Sequence, residues 1–173
     1  MSYSENCNDC PYYQQKHLTE KDKTDRTTPP INLEKNNSTI LLVFQAPGVE
    51  EWKVGKAIQP VKKKGGTAGR RIESSWKRKN KLRNDFDIIN IVQCFPGNAE
   101  KRDLKPTSMS ISACSFNLED ILRNNNYKKI IAFGNIAQDV IENLITKIEI
   151  EVEVIKSKHP TGGLSNNDLD KLW

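Results

Sequence analysis

Five apolar residues, Ile40 to Phe44, follow one another without a polar interruption and stop at Gln45-Ala46-Pro47-Gly48. An unbroken apolar run of this length predicts a strand buried on both faces, as in the interior of a parallel sheet. Pro47 cannot continue a ladder and Gly48 permits a sharp turn, so the strand is expected to end there. The stretch 86–92 (FDIINIV) repeats the pattern, with Asn90 near its end, and 129–133 (KIIAF) predicts a third short strand. Over 148–155, Ile or Val alternates with Glu. That period predicts a half-exposed strand at a sheet edge, leading through Lys156-Ser157-Lys158 to His159-Pro160.

Helical patterns fall between these strands. They predict one turn at 49–52, and a helix opened by Gly66-Thr67-Ala68-Gly69 and running to Leu82. A further helix holds Cys114 in its first half with Leu118, Ile121 and Leu122 on its apolar side. A last one covers 136–146 with Ile136, Val140, Ile141 and Leu144 facing inward. Strands alternating with helices predict the α/β class with a parallel sheet. In such sheets ligands bind beyond the carboxyl ends of the strands, so Gln45, Asn90 and His159 are expected to converge on one pocket. Residues 13–38 and 99–107 read as polar connections. No repeat or linker divides the chain, and one domain over 1–173 is expected.

Composition excludes two classes. A hydrophobic content of 36% is too high for a disordered chain, and no apolar run is long enough to span a bilayer. The start, MSYSENCNDC, has neither a basic flank nor an apolar core, so no signal peptide is read and the cytoplasm is the expected compartment. Charge sharpens the picture further. The net charge is +5, yet residues 53–83 hold twelve Lys or Arg against the single acid Glu73, a local +11 that leaves −6 for the rest. A basic block on an otherwise acidic protein is a footprint for a polyanion, with a solvated loop and helix face as the plain alternative. Lys62, Lys63 and Lys64 lie within it. Gly66, Thr67, Gly69 and Arg70 follow, where free N–H groups of a helix start attract phosphate.

The chain has four cysteines: Cys7 and Cys10 in a C-x2-C turn, then Cys94 and Cys114. In a reducing compartment these suggest metal or redox chemistry rather than disulfides. Spacing leaves a structural zinc and a [4Fe–4S] cluster both open.

Taken in order, C-x2-C, strand-QAPG, GTAG before a helix, NIVQC-x-PGN, a further Cys, AFGNIAQ and HP resemble the family-4 uracil-DNA glycosylases. The likeness runs from about Cys7 to Leu164. It implies a uracil-DNA glycosylase-like three-layer α/β/α fold with a central four-stranded parallel sheet. It also implies a [4Fe–4S] cluster on Cys7, Cys10, Cys94 and Cys114, and DNA, single- or double-stranded, as partner. The resemblance would have Asn90 read the uracil edge of a flipped nucleotide and His159 stabilise charge developing on its O2. Leu164 joins the DNA-contacting residues.

Three positions depart from the family pattern. Gln45 stands where a carboxylate is expected, Phe44 where a glycine is, and Ile58 where a phenylalanine would stack on the base. An amide can orient water but cannot take its proton. Binding elements are retained while the catalytic carboxylate is lost. The implied function is therefore a DNA-binding protein of weak or absent glycosylase activity, its pocket serving for recognition or docking. The competing expectation is an active glycosylase of base-excision repair, with Gln45 and His159 catalytic and Phe44, Ile58 and Asn90 holding the base. A third is a zinc-bound structural module. A protein partner or DNA-mimic inhibitor is a further candidate for the DNA-binding face.

Overall fold

The computed structural model describes residues 7–24, 30–60, 67–99 and 102–173. Its strands are β1 (Ile40–Phe44), β2 (Asp87–Asn90), β3 (Asn98–Ala99), β4 (Arg102–Asp103), β5 (Lys129–Phe133) and β6 (Glu153–Ser157). The helices are α1 (Val49–Val54), α2 (Ala68–Arg78), α3 (Ser108–Asn124), α4 (Asn135–Ile148) and α5 (Asn166–Asp170). The main sheet has the order β2-β1-β5-β6 and every pair in it is parallel. This is the α/β architecture expected, with the two most apolar strands, β1 and β5, in the middle. Leu41, Leu42, Val43, Ile130, Ile131 and Ala132 are all fully buried there.

The edges explain the less apolar strands. Along β2 the chain at Glu34 forms an antiparallel bridge to Ile88, so this edge is covered and its residues are buried. Among the described residues β6 pairs with β5 alone, and Glu153 and Lys156 on it are exposed. Charged side chains on an open edge discourage pairing with another chain. The alternating stretch is thus an edge strand as read. It starts later than expected, at Glu153, because α4 runs to Ile148 and the chain turns through Glu149 at φ 55° before β6.

Helices pair as α2 with α5 and α3 with α4, and α4 packs on β5. An aromatic cluster joins the first pair to the sheet: Trp76 stacks on Phe86 at 5.2 Å, and Trp173 meets Trp76, Phe86 and Phe133. Three boundaries differ from the sequence reading. α2 stops at Arg78, four residues before Leu82. α1 extends to Val54, where Gly55 closes it at φ 79°. The connection 99–107 contributes the β3–β4 hairpin, whose pairing is too short to show as a period. Among the described residues no helix is long and apolar enough to cross a membrane.

Candidate functional site

At the carboxyl ends of the strands lies a cavity of about 280 Å³. Its lining includes Phe44, Ile58, Thr67, Gly69 and His159, five of the predicted residues, together with Glu51, Gln59, Asp103 and Thr161, which sequence reasoning missed. Gln45 and Asn90 do not line it. Of the three residues expected to share one pocket, His159 lines this cavity, while Gln45 and Asn90 stand at the ends of the neighbouring strands β1 and β2.

Each lining segment has a local cause. After β1, Gly48 caps α1, and Glu51 reaches back to accept the Gly48 N–H at 2.7 Å. Its other oxygen accepts from the Gln59 N–H at 3.2 Å. One carboxyl group thus joins the turn after β1 to the segment holding Ile58. Burial, and to a lesser extent the nearby Asp103, push Glu51 up to about 7 against the opposing backbone hydrogen bonds. Ile58 sits at φ 52°, which a β-branched residue rarely adopts. Arg83 donates to the Ala57 and Ile58 carbonyls at 2.5 and 3.0 Å and pairs with both oxygens of Glu34, holding that strained backbone in place. Thr67 caps α2 by accepting the Arg70 N–H at 3.3 Å. Gly69 is required by its neighbour: a Cβ there would lie 2.1 Å from the Gln59 carbonyl oxygen. Its close approach is to the chain itself.

His159 follows β6. The Thr161 N–H donates to its Nδ1 at 3.3 Å, and the Thr161 hydroxyl lies 2.9 Å from the same nitrogen. A backbone N–H can only donate, so Nδ1 is the acceptor and the neutral ring carries its proton on Nε2. Burial lowers the His159 pKa, which favours this neutral form. The loop carrying it is fixed by Arg71, which donates to the carbonyls of Pro160 and Leu164 and to Asn166 Oδ1. Leu164 itself is packed into the core. Arg70 is exposed, and Lys62, Lys63, Lys64 and Gly66 lie outside the described residues.

Asn90 is the unusual member. It is 1% exposed, and among the described residues neither its Nδ2 nor its Oδ1 has a hydrogen-bond partner. An amide left this way costs about 1–3 kcal/mol for each unsatisfied group. Such a group calls for a specific explanation, and an absent ligand is one. Gln45, the next candidate, is half-buried, and its carbonyl accepts the Val92 N–H at 3.0 Å, extending the β1–β2 ladder past the strand ends.

Cys7, Cys10 and Cys114 are neighbours elsewhere, where the N-terminal turn meets α3. Cys7 and Cys10 close a turn through Cys10 N–H to Cys7 O at 3.0 Å. Burial pushes Cys114 up to about 11, with the Gln93 backbone opposing and the neighbouring Cys10 and Cys7 adding to the rise. Cys94, next in sequence to Gln93, is buried. The N-terminal segment is tied down beside them: His17 Nε2 lies 2.8 Å from Phe95 O, and the Thr107 N–H at the start of α3 donates to Tyr12 Oη at 3.1 Å. Among the described residues no three His, Cys, Asp or Glu converge as ligands of one metal ion. A cubane binds one thiolate at each iron corner rather than four at a point. An all-thiol donor set matches that requirement in ligand chemistry.

The model of the Uracil DNA glycosylase superfamily matches residues 31–173. The chain belongs to that superfamily, and membership implies that it binds DNA. The match includes Cys94 and Cys114 and begins after Cys7 and Cys10. No curated protein gives a significant match to the chain.

Proposed function

We propose that this protein binds DNA as a uracil-DNA glycosylase-like protein with weak or absent glycosylase activity, and that Cys7, Cys10, Cys94 and Cys114 hold a [4Fe–4S] cluster. The observation that carries the reading is the buried, unpartnered amide of Asn90 at the end of β2. Its Nδ2 can donate to O4 of uracil and its Oδ1 can accept from N3–H. Cytosine presents the opposite pattern, so one amide discriminates the two. His159, neutral with its proton on Nε2, can donate to the O2 on which charge develops as the glycosidic bond breaks. The cluster would act structurally, joining the N-terminal turn to the loop that leaves β2.

Weak chemistry follows from Gln45. Its amide can orient a water but cannot accept the proton. A second reading, an active glycosylase, draws support from Glu51: a carboxyl group titrating near 7 lines the same cavity and is a candidate proton acceptor. The experiment is to incubate the protein with DNA containing uracil, cleave abasic sites, and compare the parent with Gln45→Glu. Weak parent activity raised about 10²-fold by the substitution is expected, since a general base contributes about 10²- to 10⁴-fold. Rapid excision by the parent, abolished in Glu51→Gln, would favour the second reading.

A further inference from the structure

We propose that Phe44 is a plug: its ring occupies the space in which a pyrimidine would meet Asn90, and its displacement decides whether a base reaches that amide. The inference rests on the reading that Asn90 recognises a base. Its grounds are the strand register and the aromatic packing.

Phe44 is the register partner of Asn90 across the parallel β1–β2 pair, so the two side chains leave the same face of the sheet side by side. On its other side Phe44 stacks on Phe133 of β5, with ring centroids 4.6 Å apart and planes 1° from parallel. Phe133 is in turn the register partner of Ser157 at the end of β6, two residues before His159. A Cβ on Gly134, just after Phe133, would lie 3.6 Å from the His159 Cβ. Across the carboxyl end of the sheet the order is therefore Asn90, Phe44, Phe133 and His159. A base held between Asn90 and His159 must cross the end of β1, where the Phe44 ring now lies. The cavity has the same boundary: Phe44 lines it and Asn90 does not. The ring is 1% exposed, and the amide beside it touches neither solvent nor a polar partner.

A pyrimidine and a phenyl group are both flat six-membered rings of similar thickness. With the Phe44 side chain gone, a uracil can take its place against Phe133, so Phe133 supplies the aromatic face that Ile58 lacks. Asn90 then lies at the edge of that base, and the neutral His159 across from it.

The test measures binding of single-stranded oligonucleotides at one fixed salt concentration. One carries a single 2′-fluoro-2′-deoxyuridine, whose glycosidic bond resists cleavage, and the other carries the matching 2′-fluoro thymidine analogue. Phe44→Ala is expected to raise the preference for the uracil strand about tenfold over the parent, and Phe44→Ala combined with Asn90→Ala to abolish that gain. Phe44→Leu, which fills more of the space but cannot stack, keeps the test open if the alanine variant does not fold. It is expected to give a smaller gain in the same direction. Unchanged preference in a folded Phe44 variant that still binds DNA would overturn the plug, as would a gain that survives loss of Asn90. A parent preference that Asn90→Ala removes and Phe44→Ala leaves as it was would overturn the plug and keep the reading. Failure of the parent and every variant to bind either strand would overturn the reading and the plug with it.

Discussion

β2 holds two polar side chains three residues apart, each 1% exposed, and the fold treats them in opposite ways. Asp87, at the amino end, accepts the Asn36 and Ser38 N–H groups at 2.7 and 3.1 Å on one oxygen and the Tyr127 hydroxyl at 2.8 Å on the other. Burial and then this hydrogen bond to Asp87 hold the Tyr127 phenol well above its usual pKa, so it remains a donor. The side chain of Asn90, at the carboxyl end, has no partner among the described residues. An odd spacing on a strand turns the two toward opposite faces. The amino end of the sheet is completed by the chain's own groups, and its polar residue ties 34–38, β2 and the segment before β5 together. At the carboxyl end the Asn90 side chain is left unsatisfied, a cost that calls for a specific explanation.

Removing each residue should separate these roles. Asp87→Ala leaves two backbone N–H groups and a buried phenol without an acceptor. It should cost about 3 kcal/mol or more in denaturant unfolding, since each unsatisfied group forfeits about 1–3 kcal/mol. Asn90→Leu, close in size, should go the other way. It removes an unsatisfied amide, so the protein should be as stable as the parent or more stable by about 1 kcal/mol, while losing any uracil preference. A destabilisation by Asn90→Leu as large as that by Asp87→Ala would erase the contrast.

Glu51 offers a finer measure at the same end. Its folded value near 7 stands above the ordinary 4.5, so the folded state binds more protons than the unfolded chain between those limits. The stability linked to its protonation is fully present below 4.5 and is lost as pH rises through 7. The parent's unfolding free energy should therefore decline by on the order of 3 kcal/mol from pH 4.5 to 8 through this group. In Glu51→Gln that part of the slope should vanish, whatever the offset caused by altered hydrogen bonds to Gly48 and Gln59. An unchanged slope in the variant would mean that the carboxyl group is not strained by its site.

Much of the scaffold was legible one residue at a time. β1 and β5 have the bounds expected, because a strand buried on both faces must be apolar throughout and the run ends where burial ends. His159, Phe44 and Ile58, singled out from their order along the chain, all line the cavity. Glu51 was missed although its place was readable: an acid three residues after a capping glycine is a helix-start signal. What was not readable is that it would also reach Gln59. Asp103 comes from a hairpin of two-residue strands, too short to leave a period.

The sequence by itself determined the class, a parallel α/β sheet with polar residues at its carboxyl ends, because burial on two faces dictates composition locally. It also determined the chemistry on offer: an amide at 90, an imidazole at 159, a glutamine at 45, and four thiols. The tertiary structure decided who stands beside whom. Strand order placed β1 between β2 and the rest, and register set Phe44 against Asn90, so that the ring rather than the amide faces the cavity. Side-chain identity is local and strand pairing is not, so the phenylalanine at position 44 acquires its neighbours only once β1 is paired on both sides.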